Sequence, residues 1–130
     1  MILIIDVTST DTLRLRLLEK SKLCAHQIYR GTRQNLLLRL DQFLSAASME
    51  LENLLGLALV EGAGSFAALR QATAVLNTIA LIKGLPVAGF DCRLFKSETK
   101  LWQAIAKVFS SRPSQRFLRP IYSGQPNIRK

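Results

Sequence analysis

The sequence predicts an α/β domain, a mixed five-stranded sheet with helices on its faces. Three observations predict it. Short β-branched or alternating apolar runs open the chain and recur near residues 54–60 and 86–90. The longer stretches between them carry apolar residues at helical spacing. Glycine and proline punctuate the joins, at Gly31, Gly62, Gly64, Gly84 and Pro86.

Ile2-Leu3-Ile4-Ile5 reads as a strand buried on both faces, ended by Asp6. Thr8-Ser9-Thr10-Asp11 is a polar turn. Leu13-Arg14-Leu15-Arg16-Leu17 alternates strictly, which predicts a second strand with one face in water. Glu19-Lys20-Ser21-Lys22 is the hairpin turn, and residues 23–29 return as a third strand containing His26. A first helix is expected over residues 33–48. Leu36, Leu40, Phe43, Leu44 and Ala47 form its apolar stripe, while Leu37 and Leu38 lie off it.

A fourth strand covers residues 54–60. Gly62 to Ser65 then form a sharp turn with Ser65 as N-cap. The helix of residues 66–83 follows, ended by Gly84 with Pro86 just beyond. That helix is apolar nearly all round. Either it is enclosed by its own domain or one of its sides is an oligomer interface. The surplus apolar surface on both helices favours the interface. Residues 86–90 form a fifth strand. A third helix is expected over 98–109, capped by Ser97, with Leu101, Ile105, Val108 and Phe109 inward and Trp102 adding area. Residues 110–125 hold Pro113, Pro120 and Gly124 and read as an extended tail.

The 130 residues suffice for one domain with a real core. The longest uncharged helical run, residues 71–82, is shorter than the roughly 17 residues a membrane span needs. Met1-Ile2-Leu3-Ile4-Ile5 meets Asp6 with no basic residue before it, so no signal peptide is expected. Cys24 and Cys92 form no Cys-x-x-Cys motif, and a reducing cytoplasmic setting is expected. The net charge of +9 is uneven: residues 93–130 carry +8 of it. Such an arm suits a polyanion or an acidic protein face, and equally a solubilising surface.

No catalytic constellation stands out. His26 has no evident acid or cysteine companion, and no ligand set has metal-site spacing. Asp6, Thr8, Ser9 and Thr10 could form a phosphate loop, but such loops use glycine for close backbone approach and this one has none. A polar turn is the better description, with a nucleotide contact across a partner interface left open. Gly64 and Ser65 sit at a helix N-terminus, where amides attract anions. Arg70, one turn on, could pair with a carboxylate or phosphate.

The expected order is three strands, helix, strand, helix, strand, helix. It is the order of one lobe of the actin and sugar-kinase (ribonuclease H-like) fold. Gly62-Ala63-Gly64-Ser65-Phe66-Ala67-Ala68-Leu69-Arg70 resembles Gly-Pro-Gly-Ser-Phe-Thr-Gly-Leu-Arg, the hallmark of the TsaB (YeaZ) family. Ile4-Ile5-Asp6 with Thr8-Ser9-Thr10 resembles that family's opening segment, with one extra residue. The leucines of residues 36–44 resemble its first helix, and Gly84-Leu85-Pro86-Val87 its Gly-Ile-Pro-Val. Ala63, Ala67 and Ala68 depart from the hallmark, and Arg33-Gln34-Asn35 replaces a histidine and serine.

The resemblance implies the non-catalytic scaffold subunit of the complex that makes threonylcarbamoyladenosine in transfer RNA. It implies a TsaD-like catalytic partner, bound through Leu36, Leu37, Leu40, Phe43, Leu44, Ala68, Ala72, Val75, Leu76 and Ile79. A homodimer is implied when the chain is alone. ATP or ADP and metal are expected on the partner, with none of this chain's own, and a TsaE-like ATPase could join. Transfer RNA would reach Lys107, Arg112, Arg116, Arg119, Arg129 and Lys130 through the complex. Residues 1–92 match the family's N-terminal lobe. Residues 93–112 read as an extra basic helix replacing the second lobe, and 113–130 as a basic tail resembling the family's last segment. The alternatives are a small basic nucleic-acid-binding protein and a one-lobed nucleotide-binding kinase relative.

Overall fold

The structure is a computed structural model, and it describes residues 1–31 and 35–110. Five strands form one sheet: β1 (Ile2–Asp6), β2 (Thr12–Glu19), β3 (Lys22–Arg30), β4 (Gly56–Glu61) and β5 (Val87–Asp91). Their order across the sheet is β3-β2-β1-β4-β5. The β1–β2 and β2–β3 pairs are antiparallel, and β1–β4 and β4–β5 are parallel. The sheet is therefore mixed, as expected.

Local chemistry sets each join. Lys20 and Ser21 close the β2–β3 hairpin with φ of 52° and 75°, the left-handed pair that matches strand twist in two-residue turns. Helix α1 (Leu36–Ala46) starts where the Asn35 side chain accepts the Leu38 amide. The expected start near residue 33 falls outside the described residues. Helix α2 (Phe66–Lys83) has Ser65 as N-cap, with its Oγ accepting the Ala68 amide at 2.9 Å. Gly84 ends it at φ 67°, and the Gly84 and Leu85 amides both bond the Ala80 carbonyl. Ser97 caps helix α3 (Glu98–Ser110) through the Lys100 amide.

The two sheet faces bury two clusters. Leu3, Ile5, Leu15, Leu17, Leu57 and Leu59 pack under α1 and α2. Ile2, Ile4, Leu18, Ala58, Val60 and Phe90 pack under Leu101, Trp102, Ile105 and Phe109 of α3. The ring of Phe109 lies where a Cβ on Gly56 would stand, so the close seating of α3 needs that glycine. Helix α3, expected as a basic addition beyond the lobe, is thus the cover of the second sheet face.

One strand departs from expectation. The alternation in β2 predicts Arg14 and Arg16 in water. Arg16 is instead only 6% exposed, because α3 covers that face. The period-2 pattern marked the faces correctly but could not show that an arginine would be covered.

Candidate functional site

The Gly62–Ser65 turn joins β4 to α2 and lies against the segment after β1. Gly62 and Gly64 have φ of 99° and 92°, a region that side chains disfavour. A Cβ on Gly64 would stand 2.5 Å from the Val7 carbonyl oxygen and 2.9 Å from the Thr8 Cα. Backbone meets backbone there, so glycine is required twice over, for dihedral and for space. Gly62 faces side chains instead, the Asp91 carboxylate at the end of β5 and Arg93, so its dihedral is what calls for glycine.

The residues weighed as possible anion contacts are divided between the sheet faces. Ser9, Thr10 and Ser65 line a cleft of about 150 Å³ with Asp11, Leu36, Ala68 and Gln71, on the α1–α2 side. Asp6 and Thr8 line a cavity of about 260 Å³ on the α3 side, with Arg14, Arg16, Glu98 and Trp102. Arg70 joins neither; its guanidinium lies 5.5 Å from the Phe66 ring centroid. Strand geometry is the reason. Asp6 ends β1 on the same face as Ile2 and Ile4, and the turn after it crosses to the other face.

Asp6 is fully engaged. Its Oδ1 accepts the Thr8 amide at 2.8 Å and the Thr8 hydroxyl. Its Oδ2 lies 3.4 Å from Arg16 Nη1. Arg16 Nη2 reaches Glu98 Oε2, also at 3.4 Å, and the guanidinium lies 5.0 Å from the Trp102 ring centroid. This charge cluster, buried at Asp6 and Arg16 and exposed at Glu98, links β1, β2 and α3. The carboxylate serves a turn and an ion pair, and its negative charge disfavours a phosphate at that position. Sequence reasoning missed Arg16, since its partner Glu98 is 82 residues away.

Beside it, Arg93 grips Asp91 by a two-pronged fork, Nε to Oδ1 at 2.9 Å and Nη2 to Oδ2 at 2.7 Å. The Arg93 hydrogen bond holds the Asp91 carboxyl below its ordinary range. Burial, and then the charges of Asp6 and Asp91, push the Cys92 thiol up, so it stays protonated at neutral pH. Cys24 is exposed on β3, where His26 is exposed as well. Among the described residues no group of three or more His, Cys, Asp or Glu is arranged to hold a metal. No helix among them is long and apolar enough to cross a membrane.

The predicted interface set needs correction. Leu36, Leu40, Phe43, Leu44, Ala72, Leu76 and Ile79 are buried in the chain's own core, because the regular stripe of each helix faces the sheet. They offer a partner little area of their own, although Leu40, Leu44 and Ile79 line a groove beside Leu37. Leu37 is 55% exposed, and Ala68 and Val75 are half-buried. Sequence reasoning omitted the larger outward apolar groups from this set: Leu38 at 47%, Leu81 at 66% and Ile82 at 71%. Their off-stripe positions were the available signal. Lys107 is exposed on α3. Arg112, Arg116, Arg119, Arg129 and Lys130 lie outside the described residues.

Among solved structures, YeaZ from Pseudomonas aeruginosa shares this fold at a TM-score of 0.60 and 24% identity. The match covers 69% of this chain and 43% of that one. A second structure, described as an uncharacterized protein with similarity to peptidase YEAZ from Pseudomonas aeruginosa, aligns at a TM-score of 0.60 and 22% identity. It covers 69% of this chain and 42% of that one. The chain thus spans less than half the length of these structures. No family model and no curated protein matches the sequence. The fold is a YeaZ-like, actin or ribonuclease H-like α/β lobe.

Proposed function

We propose that this chain is a TsaB-like scaffold subunit, without chemistry of its own, that binds a TsaD-like catalytic subunit. One observation carries the proposal. The nine residues from Gly62 to Arg70 resemble the TsaB hallmark, and they sit at the β4–α2 turn of a YeaZ-like fold. There, glycine at Gly62 and Gly64 is a physical requirement rather than a chance match. The docking surface is the outward side of α1 and α2, led by Leu37, Leu38, Leu81 and Ile82. Exposed leucines on two neighbouring helices suit another helix pair. In this proposal ATP or ADP and metal belong to the partner, and a TsaE-like ATPase and transfer RNA join through the complex. The chain alone pairs with itself through the same surface.

Co-expression with the TsaD-like subunit of the same genome tests this, with light scattering giving the mass of the purified species. A one-to-one complex is expected, lost in Leu37→Glu with Leu81→Glu while the variant stays folded. A wild-type chain that purifies without the partner, with or without added ATP, overturns the assignment.

A further inference from the structure

Helix α3 ends at Ser110, with the ring of Phe109 seated on Gly56, the first residue of β4. This is the end of the sheet where β1 and β4 begin, and there the Leu55 amide bonds the Met1 carbonyl. Glu52 stands four positions before Gly56, at most about 14 Å of chain away. It belongs to one wall of a groove of about 450 Å³, whose other walls are the outward side of α1 and Ile79 of α2. The end of α3 and this groove thus lie on opposite faces of the sheet but close to the same end of it. Leu55, between them in the chain, is 57% exposed.

The groove has an apolar floor and an acidic rim. Leu37, Leu44 and Met49 supply carbon surface, and Asp41, Glu50 and Glu52 supply carboxylates. Among the described residues no Lys or Arg lines it. Lys83 offsets Glu52 through an ion pair at 2.8 Å. The arginines of α1 and α2 are engaged elsewhere: Arg39 lies over the Tyr29 ring and bonds Gln42, and Arg70 lies over the Phe66 ring. Among the described residues no ion pair involves Asp41 or Glu50, and both are exposed. An acid-rimmed apolar groove suits a segment that carries arginine beside aromatic and aliphatic groups.

The chain itself holds such a segment. Residues 111–130, outside the described part, include five Lys or Arg and no Asp or Glu. Within them, Arg116-Phe117-Leu118-Arg119-Pro120-Ile121-Tyr122 places two arginines among four large apolar side chains. We propose that this stretch docks in the groove of its own chain, its arginines at Asp41 and Glu50 and its apolar residues on Leu37, Leu44 and Met49. The reach suffices: from Ser110 to Arg116 the chain can extend about 20 Å, more than the path from Gly56 to Glu52. The tether to α3 holds the stretch at an effective concentration on the order of millimolar, so modest contacts keep it in place. A second copy offers the same chemistry at a far lower concentration. Leu37 also belongs to the partner surface proposed above, so the docked stretch and a partner exclude each other there. That consequence rests on the scaffold reading, whereas the docking does not.

The test uses the full chain and trypsin, with mass spectrometry following one peptide bond. Arg112 and Arg119 precede proline, where trypsin does not cut, so Arg116–Phe117 is the bond that reports on the stretch. Its cleavage follows the fraction of chains with the stretch undocked. Cleavage is expected to be slow in wild type and about tenfold faster in Asp41→Lys/Glu50→Lys, where two attractions become repulsions. Both positions are exposed, and circular dichroism checks the fold. Arg119→Glu, which leaves α1 and the groove untouched, should speed the cut in the same way. Combining it with Asp41→Lys/Glu50→Lys should bring slow cleavage back. Synthetic peptides of residues 111–122, with Arg119 and with Arg119→Glu, give the intrinsic rates for comparison. Equal rates in wild type and Asp41→Lys/Glu50→Lys overturn the proposal, and so does a combined variant cut as fast as Arg119→Glu alone. Protection that is lost on dilution means docking between two copies and overturns it as well. No partner subunit enters the measurement, so failure here leaves the scaffold assignment standing, and the reverse holds too.

Discussion

The two faces of the sheet are built by different physics. Under α1 and α2 the core is mostly apolar, with the carboxylate of Glu61 buried over Gly89, and the outward surface exposes Leu37, Leu38, Leu81 and Ile82. Under α3 the apolar core shares its space with the buried Asp6–Arg16 pair, which stacks on Trp102 and reaches the exposed Glu98, and the outward side of α3 carries lysine. The apolar contacts of the first face hold α1 and α2 by close packing alone, without direction. Arg16 adds directional contacts on the second face, to Asp6 on β1 and to Glu98 and Trp102 on α3.

The sharpest way to break this contrast is to remove the arginine. Arg16→Ala leaves Asp6 covered without its counter-charge and should cost about 3–5 kcal/mol, measured by urea denaturation. Asp6→Asn/Arg16→Met keeps the acceptor for the Thr8 amide and should recover most of that loss. If the double variant is as unstable as the single one, the charge pairing is not what orders that face.

Next in size come matched truncations of the two cores. Leu76→Ala under α2 and Ile105→Ala under α3 each remove a side chain that is 0% exposed. Each should cost about 3 kcal/mol. Hydrogen exchange then separates them: the truncation in α3 should also loosen the Arg16 region, whereas Leu76→Ala should not.

Gly64→Ala comes third, at about 2 kcal/mol from its left-handed dihedral and its approach to the Val7 carbonyl. Gly84→Ala shares the positive φ but meets nothing within 4 Å, so its cost should be nearer 1 kcal/mol. Thermal melts of the two variants give the difference directly.

The smallest effects lie at the surface. Leu37→Glu should leave stability within about 0.5 kcal/mol while abolishing partner binding. Arg93 depresses the folded-state carboxyl of Asp91, so this pair contributes stability above the ordinary carboxyl value of 3.8. That contribution disappears as pH falls through the lower folded value. The denaturation midpoints of wild type and Asp91→Asn should accordingly differ at pH 7 and converge towards pH 2.

Much of the fold was legible because its signals are local. The Lys20-Ser21 hairpin, the Ser65 cap, the Gly84 stop and the start of α3 after Ser97 all follow from residues within a few positions of each other. The site was less legible. The Gly62–Arg70 turn was evident, but closeness in sequence groups Asp6 with Ser9 although the turn between them changes sheet face. The helical stripes were visible as apolar faces, yet the stripe itself fills the core and only the off-stripe leucines reach outward.

By itself, the sequence determined the order and ends of the elements, the glycine-bound turn and the uneven charge. Periodicity and capping depend on neighbours in the chain, and charge is a property of composition. Only the tertiary structure decided that Arg16 is covered, that α3 closes the second sheet face, and that the regular stripes of α1 and α2 fill the core while Leu37, Leu38, Leu81 and Ile82 face outward. Those outcomes depend on which distant residues meet, such as Arg16 with Glu98, and no local pattern encodes such a meeting.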